Sequence, residues 1–437
     1  LADTRDIALS VLMDIETKGT YSNIALSAAL KKNQFSEKAD RAFITRLTEG
    51  TVESQITLDY IINQFSKTKV NKCKPLIRCL LRLSVYQIIF MDKVPDSAAC
   101  NEAVKLAKKH GFSSLSGFVN GVLRNISRNK ESIKYPYEDD GNLYYSVKYS
   151  VPGWLCEKLI KDYPEHYKEI FEGCFSDRKT TIRVNETRTT KEELRKELEE
   201  TGVTVSDGLY SDRTLLIDNY DFIRKLPGYR QGYFTVQDES SVCAVLAAEI
   251  KPGDTVLDVC AAPGGKSTLA AELLKGDGRV YSMDISGEKL ELIEENASRL
   301  GLENIVDIRQ NDATVLLEEF REKADVVIAD VPCSGLGIIG RKNDIKYRLT
   351  PDQMNELVKL QREILKTVSA YVKPGGRMLF STCTINPDEN EKNRDWILEN
   401  ISGFTLLEEH KFLQGVDECD GFYYAVFYKN NSTDNHI

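Results

Sequence analysis

The sequence predicts a multidomain protein: an all-α helical bundle, then a small α+β domain, then an α/β domain with a Rossmann-like, doubly wound sheet. Three observations carry this reading. Residues 1–130 hold apolar stripes at helical spacing, separated by breakers. Residues 149–236 set strand-like and helix-like segments in βαββ order. From residue 237 onward, apolar strand-like runs alternate with helical stretches, which requires helices on both faces of a sheet. The expected division is 1–130, a linker at 131–148, 149–236, 237–429, and a disordered tail at 430–437.

In the first domain, Ile7, Val11, Leu12 and Ile15 line one stripe of a helix over Arg5–Thr17. Similar stripes follow in Phe43–Phe65, Pro75–Met91 and Asn101–Lys109, and a last one holds Phe118, Val119, Val122, Leu123 and Ile126. Gly19, Pro95 and Gly111 punctuate them. Residues 129–148 are polar, charged and aperiodic, hence the linker. In the second domain, 181–185 (TIRVN), 203–208 (VTVSDG) and 214–218 (TLLID) read as strands, and 191–202 as a helix that Gly202 ends. The third domain offers TVLDV, RVYSMDI, VDIRQ, DVVIAD, RMLFSTC and FYYAVFY as strands, with helices such as 287–300 and 351–372 between them.

Composition bounds the function. The 437 residues are 41% apolar and 29% charged, an ordinary globular profile. No run of about 18 apolar residues suggests a membrane span, and no charged-then-apolar leader opens the chain, so a cytoplasmic protein is expected. The chain opens on Leu1 rather than Met, which leaves its natural start open. The 10 cysteines include no C-x-x-C pair, and the 4 histidines lie near none of the motifs below. Neither a metal site nor a disulfide framework is expected. Net charge is −9, yet residues 1–130 carry 20 Lys and Arg against 12 Asp and Glu. A basic module on an acidic body suits an RNA grip, because phosphate contact is local, although a solvated basic face would read the same.

The first strand of the third domain runs into DVCAAPGGKS (258–267), a tight glycine-containing loop before a helix. Ligands of such sheets bind at the carboxyl ends of strands. A Walker A loop would need Gly where Cys260 stands, and the dinucleotide pattern G-x-G-x-x-G is absent. A ligand without phosphates is therefore favoured, and S-adenosylmethionine fits. Asp284 follows the second strand, where an acid can hold two ribose hydroxyls, and Asp312 follows the third, where one can accept from an adenine amino group. One aspartate at a strand end is most often a turn residue. Three in succession (258, 284 and 312) point to a nucleoside.

The fourth strand ends in DVPCSG (330–335) and the fifth in STCTINPDENE (381–391). Each delivers a cysteine to the expected cleft, Cys333 and Cys383. Taken singly, a cysteine is usually a small buried hydrophobe. Two at neighbouring strand ends suit methylation of cytosine carbon 5, a poor nucleophile until a thiolate adds to carbon 6. Asp330 would recognise the ring at N3 and the 4-amino group. Methylation of an exocyclic amine needs no thiol, and the N/D-P-P-Y motif of that chemistry is missing.

These segments, with TVQDESS (235–241), MDIS (283–286), NDAT (311–314), GRKNDIKYR (340–348) and DGFYYA (420–425), resemble the Sun/Fmu (RsmB) family of 16S rRNA 5-methylcytosine methyltransferases over nearly the whole chain. DRAFITRLTEGTV (40–52), LLRLSVYQIIFMD (80–92) and FVNGVLRNI (118–126) resemble the NusB RNA-binding fold. The resemblance implies methyl transfer from S-adenosylmethionine to carbon 5 of a cytosine in small-subunit rRNA, position 967 in helix 31 by the usual rRNA numbering. It implies that Cys260, Ala261, Ala262, Pro263, Gly264, Gly265 and Lys266, with Asp284, Asp312 and Asp330, hold the cofactor. It also makes Cys383 the nucleophile and gives Cys333 the assisting role in proton removal or product release. The residues alone leave those two thiols open, since DNA cytosine methyltransferases use the Pro-Cys thiol. The family often has Pro where Asn343 stands, from which a local loop effect is expected.

A flipped-out base must reach the strand-end pocket. Arg341, Lys342, Lys346 and Arg348, together with the helical domain, are the expected RNA contacts, and Gln237 and Asp238 are expected near cofactor or target base. The expected partner is 16S rRNA or a small-subunit assembly intermediate, bound by a monomer with no membrane association. Two rival readings are a tRNA cytosine methyltransferase and a non-catalytic NusB-like RNA-binding or antitermination factor.

Overall fold

The computed structural model describes residues 4–33, 37–176 and 179–431. Two compact units emerge: Leu1–Phe175 joined by Ile339–Arg348, and Ser176–Ile338 joined by Leu349–Ile437. Among the described residues, no helix is long and apolar enough to cross a membrane. The tail expected at 430–437 lies, from 432 on, outside the described residues.

The first unit is all helical. Helices Thr4–Lys18, Lys38–Glu53, Gln55–Phe65, Pro75–Phe90, Asp96–Lys109 and Ser116–Arg128 match the apolar stripes. Pro75–Phe90 is its axis, with Ile77, Leu80, Leu81, Leu83, Val85 and Ile88 buried. A helix apolar on every side belongs in a core. The stripe read over Phe43–Phe65 breaks at Ser54, which ends one helix and starts the next. Helix Ser22–Lys32 escaped the sequence reading because half of its apolar residues are alanine and only Ile24, Leu26 and Leu30 are large.

The expected linker at 131–148 holds a helix from Asn142, and the helices on either side of residue 149, the expected start of the second domain, pack together. Asn142–Lys148, Gly153–Asp162 and Tyr167–Gly173 are helices of the first unit. Thr57 Oγ1 donates to the Val147 carbonyl at 2.5 Å, and Ile56 N–H to Ser150 Oγ at 2.8 Å. Tyr145 and Tyr149 stack on Phe171 with centroids 5.5 and 5.4 Å away. These stacked rings pack beside buried Val147, Val151, Leu155, Leu159 and Ile170, and the charged residues between them broke up the pattern in the sequence.

The second unit holds two sheets. The smaller is antiparallel, in the order β2 (Thr204–Asp207), β3 (Thr214–Asp218), β1 (Thr180–Val184), β4 (Phe234–Val236). It packs Ile182, Val184, Leu215, Ile217 and Phe234 against Leu194 and Leu198 of helix Lys191–Glu199. The larger sheet has seven strands. In chain order they are β5 (Thr255–Asp258), β6 (Arg279–Asp284), β7 (Val306–Gln310), β8 (Ala324–Asp330), β9 (Val372–Thr382), β10 (Phe404–Phe412) and β11 (Phe422–Lys429). Their spatial order is β10-β11-β9-β8-β5-β6-β7. β5 to β9 pair in parallel, and β11 runs antiparallel to β9 and β10. Cores lie on both faces of this sheet. β10 was not expected, because an edge strand with most residues exposed and several charged lacks the apolar run of a buried strand.

The chain order reverses between β5 and β8, so loops after β5, β6, β8 and β9 share one edge of the sheet. Such a switch point opens the crevice in which ligands bind.

Candidate active site

The loop after β5 turns at Gly264, whose φ of +101° only glycine adopts cheaply, and helix Gly265–Leu273 follows. Ser267 Oγ donates to Asp258 Oδ2 at 2.6 Å, while Asp258 Oδ1 is buried without a partner. Burial raises the Asp258 carboxyl to about 7, against the opposing Ser267 hydrogen bond. After β6, Asp284 accepts from Ala262 N–H at 3.3 Å and Ser286 N–H at 3.0 Å. One carboxylate thereby ties the β5 and β6 loops together. After β7, Asp312 Oδ1 accepts from Thr314 N–H and Oγ1 at 2.9 and 2.7 Å, which lowers its pKa. The neighbouring Asn311 Nδ2 is buried without an acceptor.

A cavity of about 150 Å³ is lined by Asp258, Cys260, Ala261, Pro263, Gly265, Lys266 and Asp330, with Gln237 and Asp238 on its other side. The β5 loop, Asp330 and the 237–238 pair therefore do converge. Asp284 and Asp312 stand outside the lining. Lys266 Nζ lies 2.6 Å from Asp330 Oδ2, and Ser381 Oγ donates to Asp330 Oδ1 at 2.8 Å. Burial disfavours the Lys266 charge, but the Asp330 carboxylate outweighs it and leaves the pKa raised. Cys260 is pushed up by burial and by Asp258, so it stays a thiol.

Beyond Asp330 and Ser381, the two loops bring Cys333 Sγ and Cys383 Sγ to 3.3 Å. The Cys333 thiol is held well above its ordinary range, first by its hydrogen bond to Cys383, then by burial, with Glu389 and Asp330 adding negative charge. Cys333 is thereby held as a neutral thiol.

A buried polar network fixes this approach, and sequence reasoning missed it. Glu389 is fully buried and accepts from Ser334 N–H at 2.9 Å, Gln361 Nε2 at 2.8 Å and Asn386 Nδ2 at 2.9 Å. Gln361 also donates to the Pro332 carbonyl at 2.9 Å, and Ser334 Oγ meets Thr384 Oγ1 at 2.7 Å. Glu389 stood inside a quoted motif, but Gln361 lies on an amphipathic helix with nothing to mark it. Gly337 and Gly421 complete the loop: a Cβ at Gly337 would stand 1.8 Å from the Gly421 carbonyl oxygen.

Arg183 was also missed. Its fully buried guanidinium, on β1, donates to the Gly265 carbonyl at 2.9 Å, Thr268 Oγ1 at 3.2 Å, Glu272 Oε1 at 2.7 Å and Gln237 Oε1. It braces the helix after the glycine loop from the smaller sheet. Removing one partner of such a buried pair costs about 3–5 kcal/mol.

The basic segment 340–348 does not form the open RNA-facing strip expected of it. Lys346 is 1% exposed, and its ammonium donates to the carbonyls of Glu53 at 3.0 Å and Tyr149 at 3.3 Å. Arg348 donates to the carbonyls of Gly19 and Thr20 at 2.6 and 2.5 Å and pairs with Asp344 at 2.8 Å. Asp344 in turn accepts from Ser22 N–H and Oγ. These side chains anchor the segment in the helical unit, while Arg341 and Lys342 are exposed. Among the described residues, no group of three or more His, Cys, Asp or Glu could hold a metal ion.

Comparison with known proteins agrees with this geometry. Residues 245–428 match the family described as 16S rRNA methyltransferase RsmB/F, residues 2–128 the NusB family, and 151–221 the RsmF/B-like ferredoxin-like domain. "Probable ribosomal RNA small subunit methyltransferase B" of Bacillus subtilis is 38% identical over 392 residues, 89% of this chain and 86% of that protein. "Ribosomal RNA small subunit methyltransferase B" of Vibrio cholerae is 29% identical over 438 residues, 99% of this chain and 98% of that one. The crystal structure of PH0851 superposes with a TM-score of 0.85 at 27% identity, covering 98% of this chain and 99% of that one. A methyltransferase homologue from Pyrococcus horikoshii gives a TM-score of 0.59 at 25% identity, over 66% of this chain and 98% of its own. With NusB, ferredoxin-like and Rossmann-like methyltransferase domains in one chain, this protein belongs to the RsmB/F family of 16S rRNA methyltransferases.

Proposed function

We propose that the protein transfers a methyl group from S-adenosylmethionine to carbon 5 of a cytosine in small-subunit rRNA, through a covalent bond between Cys383 and carbon 6. The observation that carries this reading is the 3.3 Å approach of Cys333 and Cys383 beside the Lys266–Asp330 pair. Methyl transfer to an amine or a hydroxyl has no use for paired thiols. The family relationship supports rRNA as the substrate class, and cytosine 967, met as naked rRNA or in an assembly intermediate, is the specific target proposed. A monomer acting in the cytoplasm is part of the same reading.

The residues fit the cofactor. A cavity of about 150 Å³ is smaller than the roughly 300 Å³ or more of a whole-ligand pocket. It suits the methionine end, with the orphaned Asp258 oxygen as an acceptor for an ammonium group. The nucleoside would then lie over the strand ends, its ribose at Asp284 and its base at Asp312 and Asn311. Bound there, the cofactor supplies an electrophilic methyl group.

The chain's own residues do the rest. The Lys266 ammonium interacts with the Cys383 sulfur, and a positive charge favours an anionic sulfur beside it. Cys383 adds to carbon 6, and the electron pair moves to carbon 5 and takes the methyl group. Asp330 accepts from the 4-amino group and orients the ring. Cys333 then gives its proton to the departing Cys383 sulfur and takes the carbon-5 proton in exchange. The carbon 5–carbon 6 double bond reforms, and the pair releases one proton to solvent on reset. Arg341 and Lys342 remain proposed RNA contacts.

The test is transfer of labelled methyl from S-adenosylmethionine to unmodified 16S rRNA and to tRNA side by side, followed by bisulfite sequencing. A mark at the helix-31 cytosine is expected. Label only in tRNA would keep the chemistry and change the substrate. No label in either would leave a non-catalytic RNA-binding role.

A further inference from the structure

From Tyr60 to Met91 the chain contains no Asp or Glu, yet it carries six basic residues. Two of them face inward: Arg78 pairs with Glu16, and Arg82 with Asp59 and Glu16. The other four, Lys67, Lys69, Lys72 and Lys74, fall within eight residues and are all exposed. Among the described residues, none of the four forms an ion pair.

The loop that carries them is ordered by its own bonds. Val70 is fully buried, and its N–H donates to Asn63 Oδ1 at 2.9 Å. Ser66 Oγ donates to the Thr68 carbonyl at 2.7 Å, Lys72 N–H to the Lys69 carbonyl at 2.9 Å, and Cys73 N–H to the Val70 carbonyl at 3.0 Å. Four like charges are thus held together on a stiff backbone. Mutual repulsion makes this unfavourable unless a polyanion offsets it.

An aromatic element adjoins the loop. Gln64 exchanges two hydrogen bonds of 3.1 Å with the backbone of Lys134, its Nε2 to the carbonyl and its Oε1 from the N–H. This pins Lys134 and Tyr135 at the end of the helix that leads into the lysines. Lys134 is exposed, and the Tyr135 ring is 46% exposed. Fixed lysines beside an exposed ring are what a single-stranded nucleic acid needs, cations for phosphates and a face for a base.

We infer that the loop Ser66–Lys74, with Lys134 and Tyr135, is a clamp for a single-stranded segment of the RNA substrate. It rests on the RNA reading proposed above. The lysines neutralise successive phosphates, and Tyr135 stacks on one base. The helical unit thereby grips RNA through a loop rather than through Lys346 and Arg348, whose side chains are engaged within the unit.

The test compares full-length wild type with the quadruple variant K67Q/K69Q/K72Q/K74Q and with Tyr135→Ala and Tyr135→Phe. Binding to an unmodified 16S rRNA fragment is measured across salt concentrations, alongside KM and kcat for methyl transfer. The quadruple variant is expected to bind about tenfold or more weakly. Its log–log salt slope should be shallower by about 3, at about 0.7 per phosphate of a single strand. Its KM should rise while kcat at saturating RNA is kept. Tyr135→Ala should weaken binding about tenfold with the slope unchanged, because stacking releases no counterions, and Tyr135→Phe should restore it. Melting temperature and cofactor affinity confirm that each variant is folded. Variants that match a wild type active on rRNA would overturn the clamp alone. So would variants that bind naked rRNA normally but fail on ribonucleoprotein, since the surface would then face a protein. A wild type that neither binds nor methylates rRNA would overturn the RNA reading itself, and the clamp with it.

Discussion

Cys333 Sγ and Cys383 Sγ stand 3.3 Å apart, one past the end of β8 and the other past the end of β9. Adjacent parallel strands carry their loops to the same edge, so residues 50 positions apart in sequence become a hydrogen-bonded pair. The roles proposed for them differ because Cys333 is the one held as a neutral thiol. Cys383→Ala is expected to abolish both methyl transfer and any protein–RNA adduct. Cys333→Ala should still form the adduct but release it slowly, so that it accumulates on denaturing gels. An adduct with Cys383→Ala and none with Cys333→Ala would reverse the assignment.

Asp284 ties the β5 and β6 loops together through Ala262 and Ser286, where the cofactor's ribose is proposed to lie. Asp284→Ala should weaken S-adenosylmethionine binding at least about tenfold, or about 1.4 kcal/mol, while the protein stays folded. Calorimetric titration decides this, and unchanged affinity would remove Asp284 from the cofactor site.

Glu389 answers three donors in a dry environment. Glu389→Ala would strand Ser334 N–H and Asn386 Nδ2 and leave Gln361 Nε2 with the Pro332 carbonyl alone, at about 1–3 kcal/mol for each buried group left unpaired. The expected result is a destabilised protein with kcat reduced well beyond any change in cofactor affinity. Glu389→Gln should retain part of the stability. A wild-type kcat in Glu389→Ala would show that the thiol approach does not depend on this network.

Lys346 gives a pH signature. Burial pushes its ammonium down to about 8, below the roughly 10.4 of an unfolded lysine. Between those values the unfolded chain binds more protons than the folded one, so this group makes stability rise with pH across about 8 to 10.5. The gain amounts to about 3 kcal/mol at most. Denaturant unfolding of the wild type should therefore improve relative to Lys346→Met as pH rises through that window. Parallel curves would mean that the buried lysine is not shifted.

The chemistry was legible because it depends on residue type in short spans. DVCAAPGGKS, DVPCSG and STCTINPDENE each lie next to an apolar strand, so alternation of strands and helices was enough to set them at one sheet edge. The loop after β5 and Asp330 line one cavity, and the two cysteines meet beside it, as that alternation implies. Elements with a weak or interrupted apolar pattern were not legible: Ser22–Lys32 with its three large apolar residues, the charged edge strand β10 and the short helices between 142 and 173.

What the sequence determined by itself is the domain order, the strand-end motifs and the pair of thiols, since local periodicity and turn chemistry act over a few residues. Tertiary structure alone decided which charged side chains would be used internally. Lys346 and Arg348 look like RNA ligands in a basic run, but unsatisfied backbone carbonyls of the helical unit claim them. Arg183, Glu272, Gln361 and Glu389 look like ordinary surface residues, but burial makes each depend on partners as much as 89 positions away. Desolvation cost depends on the three-dimensional neighbourhood, and no local pattern of residues encodes it.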